Sequence, residues 1–279
     1  MVQDNYGTVA TQFSVGGVIG ASISIVLRNI LKFLAIGFLM AIPTILLAVA
    51  LFGSLPVSYA ELQSGVKLDF TEISATTKVL FALVFVVGFL SYFVIQAAIN
   101  YAAFQSLRGE RVGIGACLAR GLAAMPRLVI ACIVLLLFMF LIAIAVGIVI
   151  ALLVAGIGVA SGSLGASTGM SILSAVFFLA VFVFLCVIWW VFVPAIVAEN
   201  AGPVGCFKRS RQLTKGHRWG ILGILVLVFV ANILSSIVMQ LLARVGLPTV
   251  VGVLNGVLSL FFAALTSVLA AVGYYSLRA

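Results

Sequence analysis

Apolar residues run along this chain in long blocks, separated by short polar joints. Six blocks stand out, at roughly 29–53, 78–106, 127–158, 170–198, 219–243 and 249–276. Each is long enough to supply the roughly 20 residues that a helix needs to cross about 30 Å of hydrocarbon. Between Arg127 and Glu199 no side chain is charged, which leaves room for two spans and a tight turn. A lone span must satisfy its own backbone hydrogen bonds, so helices are expected throughout. The period-two alternation of a barrel strand is absent from the pattern. The pattern predicts an all-α, integral membrane six-helix bundle, forming a single transmembrane domain over residues 1–279.

The polar joints carry the sidedness. Residues 107–127 hold Arg108, Arg111, Arg120 and Arg127, and residues 199–218 hold Lys208, Arg209, Arg211, Lys215 and Arg218. Arg28 and Lys32 open the first span and Arg278 closes the chain. Only Lys67, Lys78 and Arg244 fall on the other side, out of 15 Lys and Arg in all. By the positive-inside bias, both termini are expected in the cytoplasm. The outer connections are then residues 54–77, a Gly/Ser tract "GVASGSLGASTG" and a short turn near "RVGLP", none of them large enough for a domain. The opening "MVQDNYGTVATQFSVGG" has no basic region before an apolar core and does not read as a signal peptide.

The segments before the first, third and fifth spans resemble one another. "SVGGVIGASISIVLRNILKFLAIGF", "RVGIGACLARGLAAMPRLVIACIVL" and "GPVGCFKRSRQLTKGHRWGILGILV" each start with Gly beside a β-branched residue and carry a cation at the membrane entry. Cys117 matches Cys206 and Arg120 matches Arg209, at a period of about 90 residues. Three pseudo-repeats are expected, at about 14–106, 110–198 and 202–279, each an interfacial amphipathic helix followed by a transmembrane hairpin. The third such helix is the best defined: Gly202 and Pro203 suit its start and Gly216 its stop. At 100° per residue, Cys206, Phe207, Ser210, Leu213 and Thr214 share one side, and Lys208, Arg211, Gln212 and Lys215 the other.

Composition then removes whole classes of function. The chain is 65% hydrophobic and 8% charged, far from the quarter or so charged residues of a soluble domain. Its net charge of +9 sits in loops between spans, where topology puts it, so no nucleic acid partner is expected. Cys117, Cys132, Cys186 and Cys206 form no C-x-x-C pair and no disulfide framework is expected. His217 is the single histidine and stands among arginines, so neither a metal site nor a Ser–His–Asp set can be assembled. Of the six acidic residues, Glu61, Asp69 and Glu72 lie in one outer loop. No catalytic residues, no cofactor and no enzyme activity are expected.

The stretch "VPAIVAENAGPVGCFKRSRQLTKGHRWGILG" resembles the membrane domain found with some bacterial glycerophosphoryl diester phosphodiesterases, and its stand-alone multi-pass relatives. The matching positions are Pro194, Glu199, Gly202, Arg209, Ser210, Leu213, Thr214, Gly216 and Trp219. The resemblance implies a six-span protein of a bacterial inner membrane. It implies no catalysis, because no phosphodiesterase barrel sequence accompanies it.

Three groups of residues are candidates for function. Lys208, Arg211, Lys215 and Arg218 form a basic face that either binds anionic headgroups or a protein partner, or only fixes topology. Glu199 is a candidate ion-pair partner for Arg209, within the motif that also holds Ser210, Gly216 and Trp219. Gln96, Asn100, Asn232 and Asn255 are span amides that either bond between helices or line a polar path. Gly252 and Gly256 form a G-x-x-x-G that favours close helix contact, and Pro43 and Pro194 are expected to kink their helices. The reading that results is a non-enzymatic multi-pass inner-membrane protein that contacts or organises lipid or envelope machinery. The alternative is a transporter or channel for a lipid or small amphiphile. Expected partners are membrane lipids, anionic ones included, and a membrane protein.

Overall fold

A computed structural model describes residues 13–55, 73–161, 164–199, 202–244 and 248–278. All regular structure among them is α-helical, with no strand. In chain order the helices are α1 (Val15–Arg28), α2 (Ile30–Ser54), α3 (Ala75–Leu107), α4 (Ile114–Ser161), α5 (Leu164–Ile188), α6 (Phe192–Glu199), α7 (Gly205–Leu213), α8 (Arg218–Arg244) and α9 (Pro248–Arg278). Six stretches are long and apolar enough to cross a membrane: Ile30–Ser54, Ala75–Leu107, Ile114–Val149, Ala175–Glu199, Arg218–Arg244 and Val251–Arg278. The chain is therefore a multi-pass membrane protein built as an all-α helical fold. Most of the first outer connection and the third outer turn, with Lys67, lie outside the described residues.

Three boundaries differ from those expected. No break separates an interfacial helix from the third span, because α4 runs on from Ile114 through Pro126. The first joint has Asn29 and the third has Gly216, whereas the second has Ala123, Ala124 and Met125, strong helix formers that offer no stop. The Gly/Ser tract is also largely helical, with α4 reaching Ser161 and α5 resuming at Leu164. Finally, the fourth span is two helices, α5 and α6, with a turn at Trp189–Val191. Pro194 lies just beyond that turn; it has no N–H to give the Trp190 carbonyl. Pro43, by contrast, sits inside an uninterrupted α2.

The chain divides into two compact units. One holds Ser22–Met125 and Ser236–Leu269. In it α2 and α3 pair as an antiparallel hairpin. Thr77 at the start of α3 donates to the Ser54 carbonyl at the end of α2 (3.1 Å), and Asn29 reaches Ser106 at the other end (3.5 Å). Ala97, Ala98, Ala102 and Ala103 give α3 a fully buried small-residue face. Gly121 of α4 uses it: a Cβ there would lie 2.7 Å from the Val94 carbonyl oxygen. Small residues allow such close backbone approach where no hydrophobic effect drives helices together.

The other unit holds Met1–Ala21, Pro126–Ser235 and Ala270–Ala279. Its buried residues include Val187, Ile188, Val191, Ala195, Ile196 and Val197 around the α5–α6 turn, with Ile221 and Ile224 of α8 and Ala271, Val272 and Tyr274 of α9. Gly273 lets α9 pass the turn closely, since a Cβ on it would meet the Trp190 ring at 2.5 Å. Large apolar side chains such as Phe140, Leu152, Phe229 and Val253 remain exposed along the helices, as a hydrocarbon solvent requires.

Candidate functional site

The joint between the fourth and fifth spans begins with an orphaned carbonyl. In an unbroken helix the Ile188 carbonyl would accept from the N–H of Phe192. Here the Phe192 N–H bonds instead to the Trp189 carbonyl (3.2 Å), one residue tighter. The Ile188 oxygen is left free, and two hydroxyls of the following segment take it up. Ser210 donates to it at 2.8 Å and Thr214 at 3.4 Å, both from fully buried positions. A buried carbonyl without a partner costs about 1–3 kcal/mol, so these two bonds seat α7 on the turn.

Aromatic packing closes the same seam. Phe207 lies edge-on to Trp189 (5.3 Å between ring centres) and stacks on Phe192 (5.7 Å). Cys206 is fully buried, its thiol donating to the Pro203 carbonyl (3.2 Å), and burial pushes that thiol up to about 11. The Cys206 N–H bonds to the Gly202 carbonyl (3.1 Å), so the helical turn starts at Gly202 and Pro203. After the Thr214 cap, Gly216 turns the chain with φ +96°, a conformation that other residues rarely adopt.

Glu199 ties the joint to the end of the chain. Its carboxylate accepts Arg209 Nε at 3.2 Å on both oxygens and Arg209 Nη2 at 3.1 Å. The same carboxylate accepts the Tyr274 hydroxyl (2.5 Å) and lies 3.8 Å from Arg278 Nη1. The bonds to Glu199 push the Arg209 guanidinium above its ordinary value. Arg209 Nε and Nη2 form a fork on one carboxylate, which fixes direction as well as charge. The structure thus brings Glu199 and Arg209 together and adds Tyr274 and Arg278, which sequence reasoning missed. Those two lie about 75 residues away and carry no local signal.

The outward side of α7 is cationic. Lys208, Arg211 and Lys215 are exposed, opposite buried Cys206, Ser210 and Thr214. Arg218 is half-buried. It opens α8, its guanidinium lies over the Phe184 ring at 5.4 Å, and its Nε is buried without a hydrogen-bond partner. Trp219 beside it is 84% exposed. His217 is exposed and packs edge-on against Phe13 (5.0 Å).

This joint, with the spans around it, falls within one known family. A family model described as Domain of unknown function (DUF7847) matches residues 35–277. The chain belongs to the DUF7847 family. No curated protein and no solved structure matches the chain. The DUF7847 match takes in all of the joint and nearly all of the six apolar helices, so these are features of the family's region and not of a flanking segment. The comparisons do not link the DUF7847 chain to the phosphodiesterase-associated family, and that resemblance rests on the joint's thirty or so residues alone.

The four span amides have different local surroundings. Gln96 accepts from Ser267, and its own NH2 donates to Tyr92 (3.0 Å). Asn100 is buried and donates to the Gln96 carbonyl (2.7 Å). Asn232 is exposed and donates back to Val228 in its own helix (2.9 Å), and Asn255 is exposed too. Gly252 and Gly256 have open space where a Cβ would go among the described residues. Among the described residues no group of His, Cys, Asp and Glu is placed to hold a metal ion.

Proposed function

We propose that this DUF7847 protein is a non-enzymatic multi-pass protein of a bacterial inner membrane that contacts anionic lipid through α7, with both termini in the cytoplasm. The observation that carries the reading is the seating of α7. Its inner side is committed to the Ile188 carbonyl and its edge to Glu199, while Lys208, Arg211 and Lys215 stay outward. Loop cations that serve only as a topology signal need no such fixed platform. Each is worth about 1 kcal/mol against an anionic leaflet when held at its surface. The bacterial setting is supported by the resemblance of the joint, and the cytoplasmic placement by the cation bias of the loops.

The test is lipid enrichment around the full chain in nanodiscs that mix phosphatidylglycerol and phosphatidylcholine. Wild type should enrich phosphatidylglycerol, and the enrichment should fall with salt. The triple variant Lys208→Gln, Arg211→Gln, Lys215→Gln should lose most of both. Equal enrichment in the triple variant would sink the proposal.

A further inference from the structure

A groove of about 620 Å³ runs along the start of α8 and the side of α5. Val176, Leu179, Val183, Val187 and Leu222 give it apolar walls, and Arg218 with Trp219 forms its polar end. We propose that this groove is a built phospholipid site, holding one acyl chain along α5 with the phosphate against Arg218. The inference rests on the lipid-contact reading above and names a single bound lipid in place of a diffuse surface.

Charge complementarity selects the occupant. A guanidinium with a buried, unpartnered Nε lacks one hydrogen bond that water would supply. The Phe184 face offsets part of that cost but accepts no directed bond. An anionic oxygen does accept one, and Arg binds phosphate through several N–H groups at once. Trp219, almost wholly exposed, is the residue type that settles at the headgroup level, with its ring toward the chains and its N–H toward water. A neutral amphiphile would fill the walls and bring no anion to the Arg218 guanidinium. A soluble anion would meet Arg218 and leave the groove empty.

The probes are phosphatidylglycerol and phosphatidylcholine of identical acyl chains, added to the full chain in mild detergent and followed by native mass spectrometry. Wild type should retain one phosphatidylglycerol per chain in preference to phosphatidylcholine. Arg218→Gln should reduce that retention about tenfold, and Arg218→Lys less. Ala180→Phe, which fills the groove from an exposed position on α5, should displace both lipids. The Lys208, Arg211 and Lys215 triple variant should keep the single bound lipid while losing the salt-sensitive enrichment. That separates the two proposals, since the α7 surface can fail while the groove stands and the reverse. Protection of Cys206 from maleimide reports whether each variant is folded. Unchanged retention in a folded Arg218→Gln protein, or equal retention of the two lipids by wild type, would overturn the inference.

Discussion

Ile188 contributes to this protein through its backbone as well as its buried side chain. Its carbonyl is released by the turn before Pro194 and is then held by Ser210 and Thr214. Replacing Ser210 by Ala together with Thr214 by Val leaves that oxygen buried and unpaired. The pair of changes should cost about 1–3 kcal/mol, read as a lower thermal-unfolding midpoint in detergent. Gln at Glu199 keeps the size but removes the charge shared by Arg209, Tyr274 and Arg278. Part of this cluster is exposed, so the loss is about 1–2 kcal/mol. Reversing the Glu199 and Arg209 charges together should rescue folded yield only in part, because Tyr274 and Arg278 stay behind. Full rescue would show the extra two partners to be idle. Gly273→Ala drives a methyl into the Trp190 ring and should cost about 1–3 kcal/mol.

At the scale of the element, α7 is short. A helix of Gly205–Leu213 with no side-chain N-cap has no stability of its own. Its position depends on the α5–α6 turn, and Cys206 reports whether it is seated. In the folded protein the thiol is buried and its ionisation is pushed up to about 11, so maleimide at neutral pH should react slowly. Loss of the Ser210 and Thr214 hydroxyls should speed that reaction before the spans unfold. If labelling rises only with global unfolding, α7 is not a separable element. Gly216→Ala strains the exit at φ +96° and should cost about 1–2 kcal/mol, with the same early gain in Cys206 labelling. The helical repeat was legible here in the spacing of Cys206, Ser210 and Thr214. What those residues bury against was not, because the partner is a main-chain atom more than twenty residues away.

For the whole molecule, the cation bias of the loops supports the sidedness proposed above. A cysteine introduced between residues 161 and 168 should be labelled only from outside intact cells, and tags on either terminus only from within. Labelling of that loop from the cytosol would invert the arrangement and remove the inner leaflet from reach of Lys208, Arg211 and Lys215.

Hydrophobic length and loop charge by themselves determined that this chain is all-α, that six segments cross hydrocarbon, and roughly where each begins and ends. Those are properties of a helix against a solvent, and solvent is read one residue at a time. The sequence also carried the two-sided character of α7 and the Glu199–Arg209 pair, which lie within a dozen residues of each other. Only the tertiary structure decided that helix runs on to Ser161 and resumes at Leu164. It alone placed the Arg218 guanidinium over the Phe184 ring, and brought Tyr274 and Arg278 to Glu199. These depend on which helix lies against which, a choice that apolar surface in lipid leaves open and that specific packing and hydrogen bonds settle.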